Sequence, residues 1–142
     1  MIKEENQTEI LNRMKKEIIY TKDAPEPIGP YNQGVKIGRT LYVSGQIPLI
    51  PGKMKLVNND LEKETIQVMK NIEAILLKAN MTFDNVIKTT IFLSDMSNFE
   101  KINKVYGRYF NPKVAPARET VEVSNLPKYV RLEISVVACE ID

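Results

Sequence analysis

The chain contains no histidine, no tryptophan and a single cysteine in 142 residues. Without histidine there is no Ser–His–Asp triad, no His-paired thiol nucleophile and no histidine zinc site, and one cysteine cannot form a CxxC redox pair. Any chemistry must therefore fall to Arg, Lys, Glu, Asp, Tyr, Ser, Thr or the backbone. The lone Cys139 gives no sign of an oxidising compartment and fits a reducing cytosol. No apolar run approaches the ~18 residues that span a bilayer, so no membrane partner is expected. An excess of one charge is missing too. Twenty basic against 18 acidic side chains leave +2, below what a dedicated nucleic-acid binder carries.

What is present is ordinary for a soluble globular domain: 43% hydrophobic and 27% charged residues, in a length that buries roughly two-thirds of the unfolded surface without a disulfide or metal. Residues 1–17 read as an extension and 18–142 as one domain. The extension mixes four acids (Glu4, Glu5, Glu9, Glu17) with four bases (Lys3, Arg13, Lys15, Lys16), which suits neither a secretory signal nor an acid-poor transit peptide. Ile10, Leu11, Met14 and Ile18 recur at helical spacing, so an amphipathic helix and a frayed tail both stand open.

Eight prolines punctuate clean periodic segments. Residues 33–37 and 40–44 are short β-type runs joined by Gly38-Arg39, a tight hairpin turn. A further short strand is expected near 54–57. Residues 60–79 read as a helix with Asn59 as N-cap and Glu62 completing a capping box; Ile66, Met69, Ile72, Ile75, Leu76 and Ala79 form its apolar stripe, and Asn80 stops it in a left-handed conformation. Residues 85–93 are rich in β-branched side chains, as strands are. Ser97 with Glu100 opens a second helix through Phe110, ended by Asn111-Pro112. Strands over 118–123 and 130–138 follow. The order predicts an α+β sandwich of two layers, a mixed sheet with two helices on one face. The other sheet face is left bare. On the last strand Val130, Leu132, Ile134 and Val136 alternate with Arg131, Glu133, Ser135 and Val137, so the second face is either solvated or pressed against another subunit.

Few residues stand out chemically. Glu133 is a carboxylate within a hydrophobic strand; it either occupies the polar face beside Arg131 or borders a cleft and handles a proton. Arg118 follows Ala115-Pro116-Ala117 at a strand entrance, as a plain surface cation or as a grip for a carboxylate through two parallel hydrogen bonds. Ser44 is a strand-end hydroxyl with no histidine to activate it. No basic stripe interleaved with aromatics, as single-stranded RNA binding prefers, stands out; the weak exception is Lys101, Lys104 and Arg108 on one side of the second helix, which read either as such a patch or as a solvated helix face.

Together, Ile28-Gly-Pro-Tyr-Asn-Gln-Gly-Val35, Val43-Ser-Gly-Gln-Ile-Pro48, Val86-Ile-Lys-Thr-Thr90, Pro116-Ala-Arg118, Val121-Glu-Val123, Leu126-Pro-Lys128 and Glu133 resemble the RidA/YjgF reactive-intermediate deaminases, also described as L-PSP endoribonucleases. The resemblance runs over roughly residues 18–141, in order. It implies a chorismate-mutase-like fold, a homotrimer with sites between subunits, and hydrolysis of enamine/imine acids such as 2-aminoacrylate, 2-iminopropanoate and 2-iminobutanoate to 2-keto acids and ammonia. It further implies that Arg118 binds the substrate carboxylate, that Glu133 positions the attacking water, and that Tyr31, Ser44, Gly45 and Asn103 line the cleft. Thr120 takes a position often held by Cys and contributes backbone groups; Glu119 replaces a residue that is commonly small. An imine is already electrophilic, so neither metal nor cofactor is called for. The expected partners are a small carboxylate-bearing imine or enamine and two further copies of the chain, not nucleic acid. A cytoplasmic location is expected, with a mitochondrial one as the alternative in a eukaryotic source. The alternative functions are cleavage of single-stranded RNA with translation inhibition, or a non-catalytic trimeric ligand-binding or chaperone-like role.

Overall fold

Strand β6 (Leu132–Cys139) sets the frame, because Leu132, Ile134, Val136 and Ala138 are buried while the residues between them are only half-buried. In this computed structural model, which describes residues 4–13 and 15–142 (the side chains of 12 and 13 apart), β6 lies between two antiparallel neighbours, β3 (Thr40–Gln46) and β4 (Val86–Leu93). Outward from β3 come β2 (Gly34–Ile37) and β1 (Glu17–Ile19), both antiparallel; outward from β4 comes β5 (Ala117–Glu122), parallel. The six-stranded order is β1-β2-β3-β6-β4-β5. Helices α2 (Leu61–Lys78) and α3 (Phe99–Tyr106) pack together and cover one face. Between the layers lie Leu41, Val43, Ile91, Leu93, Leu132, Ile134, Val68, Met69, Ile72, Ile75, Leu76 and Ile102. This is the expected α+β sandwich with a mixed sheet. Among the described residues no helix is long and apolar enough to cross a membrane.

Several boundaries differ from the sequence reading, each for a local reason. Asn59 adopts φ 67° and cannot cap; Asp60 does, its carboxylate accepting from the Lys63 N–H. At the other end Asn80 is left-handed as expected, with φ 59°. The second helix does not start at Ser97. Asp95 accepts from the Ser97 N–H and opens a 3-10 turn over Met96–Asn98, α3 follows, and Gly107–Tyr109 tightens again into 3-10. Val130 precedes the last strand rather than starting it, because it packs with Ile47 and Leu49 in a satellite core. The strand expected near 54–57 is one bridge, Leu49 to Leu56.

Strand β1 was not anticipated, being three residues long. Ahead of it, α1 spans Gln7–Arg13, and Asn6 and Glu9 cap each other reciprocally at 2.9 and 3.2 Å. Its Ile10 and Leu11 are exposed. Met14, the third residue of the spacing, lies outside the described residues.

Candidate active site in two halves

The β2–β3 hairpin turns on Gly38, whose φ of 59° suits glycine. Further along β3 the pairing with β6 slips: Val43 opposes Val136 and Gln46 opposes Ile134. Ser44 and Gly45 thus face Ser135 alone, a β-bulge that re-aims both toward the bare side of the sheet. There they line a cavity of about 550 Å³ together with Tyr31 and Glu133.

Two buried amides hold the cavity walls. Gln33, 2% exposed, accepts from the Thr21 N–H at 2.8 Å and donates to the carbonyls of Thr21, Ala24 and Pro25 at 3.0–3.3 Å. Asn71, on the buried stripe of α2, donates to the carbonyls of Ile47 and Leu49 at 3.1 and 2.9 Å. The proline-rich loop and the segment after β3 are fixed by one side chain just ahead of β2 and one on α2. The Tyr31 hydroxyl accepts from the Ile28 N–H at 3.1 Å, curling that loop over the cavity. The Ser44 hydroxyl donates to the Asn32 carbonyl at 2.6 Å and so braces the strand instead of serving as a free nucleophile.

Glu133 is half-buried and has no hydrogen-bond or ion-pair partner among the described residues. Burial pushes its carboxyl pKa up. It is not paired with Arg131, which instead holds the buried Glu64.

Arg118 lies elsewhere. It sits opposite Thr89 in the parallel β4–β5 pair, whereas Glu133 sits opposite Phe92. Since strand side chains alternate, these are opposite faces of the sheet. Arg118 is on the helix side. Its guanidinium donates to Asn103 Oδ1 of α3 at 2.7 Å and lies over the rings of Tyr106 and Phe99, at 4.9 and 5.7 Å from their centroids. Thr120, two residues on, shares that face; its Oγ1 is buried with no partner among the described residues. Glu119 points the other way. Lys88 binds it at 2.7 Å and the Thr90 hydroxyl donates to it at 3.2 Å, which holds its carboxyl below the usual range, Lys88 contributing most. Its charge does not reach the guanidinium from the same face.

The seven residues suggested by the sequence thus fall into two groups: Tyr31, Ser44, Gly45 and Glu133 around the cavity, and Asn103, Arg118 and Thr120 on the far side of the sheet. One chain does not bring the groups together. Sequence reasoning missed Gln33 and Asn71 as wall supports and Tyr106 and Phe99 as neighbours of Arg118. A polar residue at position 71 within an apolar stripe was a signal for the first kind. The aromatics read simply as the inner face of the helix.

Comparison with known proteins identifies the family of the chain. Residues 21–140 match the family model described as endoribonuclease L-PSP. A RutC family protein of Saccharolobus solfataricus is 50% identical over 123 residues, 87% of this chain and 97% of that protein. Reactive Intermediate Deaminase A, chloroplastic, of Arabidopsis thaliana is 39% identical over 125 residues, 88% of this chain and 66% of that one. Among solved structures, a protein of the conserved Rid family from Yersinia pestis superposes with a TM-score of 0.85 at 49% identity, covering 89% of this chain and all of that one.

Proposed function

The chain belongs to the endoribonuclease L-PSP family, which takes in the RutC and Rid proteins, and on that premise we propose that it is a deaminase hydrolysing short-lived enamine and imine acids to 2-keto acids and ammonia. The substrates are 2-aminoacrylate with its tautomer 2-iminopropanoate, and 2-iminobutanoate. The observation that carries the reading is Glu133: a half-buried carboxylate without a partner among the described residues, its pKa raised by burial, facing a cavity of about 550 Å³. A carboxyl in that condition takes and returns a proton near neutral pH more readily than an ordinary one.

The enamine takes a proton from solvent at C3 as its nitrogen lone pair forms C=N, or the imine takes one at nitrogen, and water attacks the carbon of the resulting iminium. The C–O bond forms, the C=N π electrons move to nitrogen, and Glu133 takes a proton from the oxygen. The same carboxyl delivers that proton to the nitrogen of the carbinolamine. The hydroxyl oxygen then re-forms C=O, its proton leaving for Glu133 or solvent, as the C–N bond breaks and ammonia departs. General acid–base help of this kind contributes about 10²–10⁴-fold. Arg118 anchors the carboxylate; a hydrogen bond between charged groups is worth about 1.5–3 kcal/mol.

Arg118 and Glu133 act together only if the guanidinium of one subunit meets the carboxylate of the next, so the functional form is a homotrimer with three shared sites. The bare sheet face, with Ile18, Tyr42 and Val121 exposed, supplies the apolar surface for such packing. The protein then works in the cytoplasm on an unstable metabolite. An assay generating 2-aminoacrylate in situ tests the proposal: wild-type protein accelerates release of the 2-keto acid and Arg118→Ala does not. An unchanged rate with wild type contradicts it.

A further inference from the structure

Arg118 is exposed on a short edge strand, where a long cationic side chain would ordinarily sample many rotamers. Here three side chains of one helix surround it. Asn103 takes a hydrogen bond from Nη1 at 2.7 Å, and the rings of Tyr106 and Phe99 lie beneath the guanidinium at 4.9 and 5.7 Å. Tyr106 is itself immobilised. It is 6% exposed, its hydroxyl shares a 2.9 Å hydrogen bond with the buried Thr89, and its ring packs against Phe110 at 4.7 Å between centroids. Phe110 in turn meets Phe83 edge-on at 5.5 Å. A continuous row of rings, anchored in the core, thus ends under the arginine.

We infer that Tyr106, seconded by Phe99, is a positioning residue for Arg118: the aromatic platform fixes the plane of the guanidinium, and Asn103 occupies one Nη, so that the remaining N–H edge is presented to the substrate carboxylate. The inference rests on the deaminase reading for the identity of that carboxylate and adds residues that do not touch it. A planar fork binds a carboxylate bidentately only when its plane is set in advance, and stacking on a ring sets it. The ring does this chiefly through its π face; the hydroxyl, bonded to Thr89, adds a smaller polar contact with Arg118. Tyr106→Phe should therefore keep the platform while losing the hydroxyl's bonds to Thr89 and Arg118, and Tyr106→Leu should lose both the platform and those bonds.

The test is titration of the assembled protein with 2-oxobutanoate by calorimetry, alongside deamination kinetics, for wild type, Y106F, Y106L, F99L, R118A and R118A/Y106L. Y106L is expected to weaken 2-oxobutanoate about 10-fold and raise KM to match, with kcat within about 2-fold. Y106F is expected to melt earlier, from the orphaned Thr89 hydroxyl, yet to bind within about 2-fold of wild type. In the R118A background Y106L should weaken binding no further, because two residues acting through one guanidinium are not additive. Where Y106L fails to fold, F99L carries the same expectation at about 3-fold. Equal losses in Y106F and Y106L, an unweakened Y106L, or a full further loss in R118A/Y106L would overturn the inference. A wild type that binds 2-oxobutanoate but deaminates nothing removes the proposed reaction and leaves the platform to be judged on binding; a wild type that binds no 2-keto acid removes both.

Discussion

Gly45 and Glu133 occupy the same small volume: a methyl group added at Gly45 would stand 2.7 Å from Cδ and 3.0 Å from Cγ of Glu133. The glycine is there to leave room for a carboxylate, and the bulge at Ser44-Gly45 brings the two together.

Gly45→Ala should consequently spare the fold and damage the site. The displaced group is the far end of a flexible side chain, so melting is expected to shift by no more than ~2–4 °C, whereas misplacing a reacting carboxylate should lower kcat on the order of 10²-fold. Melting curves and the coupled assay on one preparation check both halves.

Glu133→Gln removes the proton-handling group at nearly constant volume. Turnover should fall about 10²–10⁴-fold with 2-oxobutanoate still bound. Stability should move the other way. The folded protein holds the Glu133 proton more tightly than the unfolded chain, because burial disfavours the charge. The associated stability is complete below the ordinary glutamate value of about 4.3 and is lost as pH rises through the elevated native value. Urea unfolding from pH 4 to 8 should therefore show wild type declining relative to Glu133→Gln, which lacks the titration.

Gln33→Ala tests the walls. It strands the part-buried N–H and carbonyl of Thr21 and the buried carbonyls of Ala24 and Pro25, at a cost of about 2–3 kcal/mol read from the urea midpoint. Activity should drop beyond what stability explains, since the loop carrying Tyr31 loses its tether.

The layered fold was legible because its signals are local. Period-two alternation in 132–139, β-branched residues in 86–93 and the apolar stripe of α2 each declare a face. The errors came where two neighbours could do one job. Asn59 and Asp60 are both capping types, and only the backbone decides that Asn59 is left-handed; Ser97 and Asp95 are both capping types too, but Ser97 already lies inside the 3-10 turn that Asp95 caps. The motifs named the candidate residues, but not their division between two faces. That division depends on the register of β5 against β4, a parallel pairing whose strands are joined through α3, and no local pattern encodes it. Tyr106 escaped for a related reason: an aromatic on a buried helix face looks like core until the strand beside it is known to carry an arginine.

The most direct test of a site shared between copies is complementation. Arg118→Ala and Glu133→Gln proteins, each inactive alone, are unfolded together in equal amounts and refolded. If every site takes its arginine from one subunit and its glutamate from the next, random assembly restores about one site in four, and the mixture regains about a quarter of wild-type deaminase activity. A mixture as inactive as its two components would contradict the account.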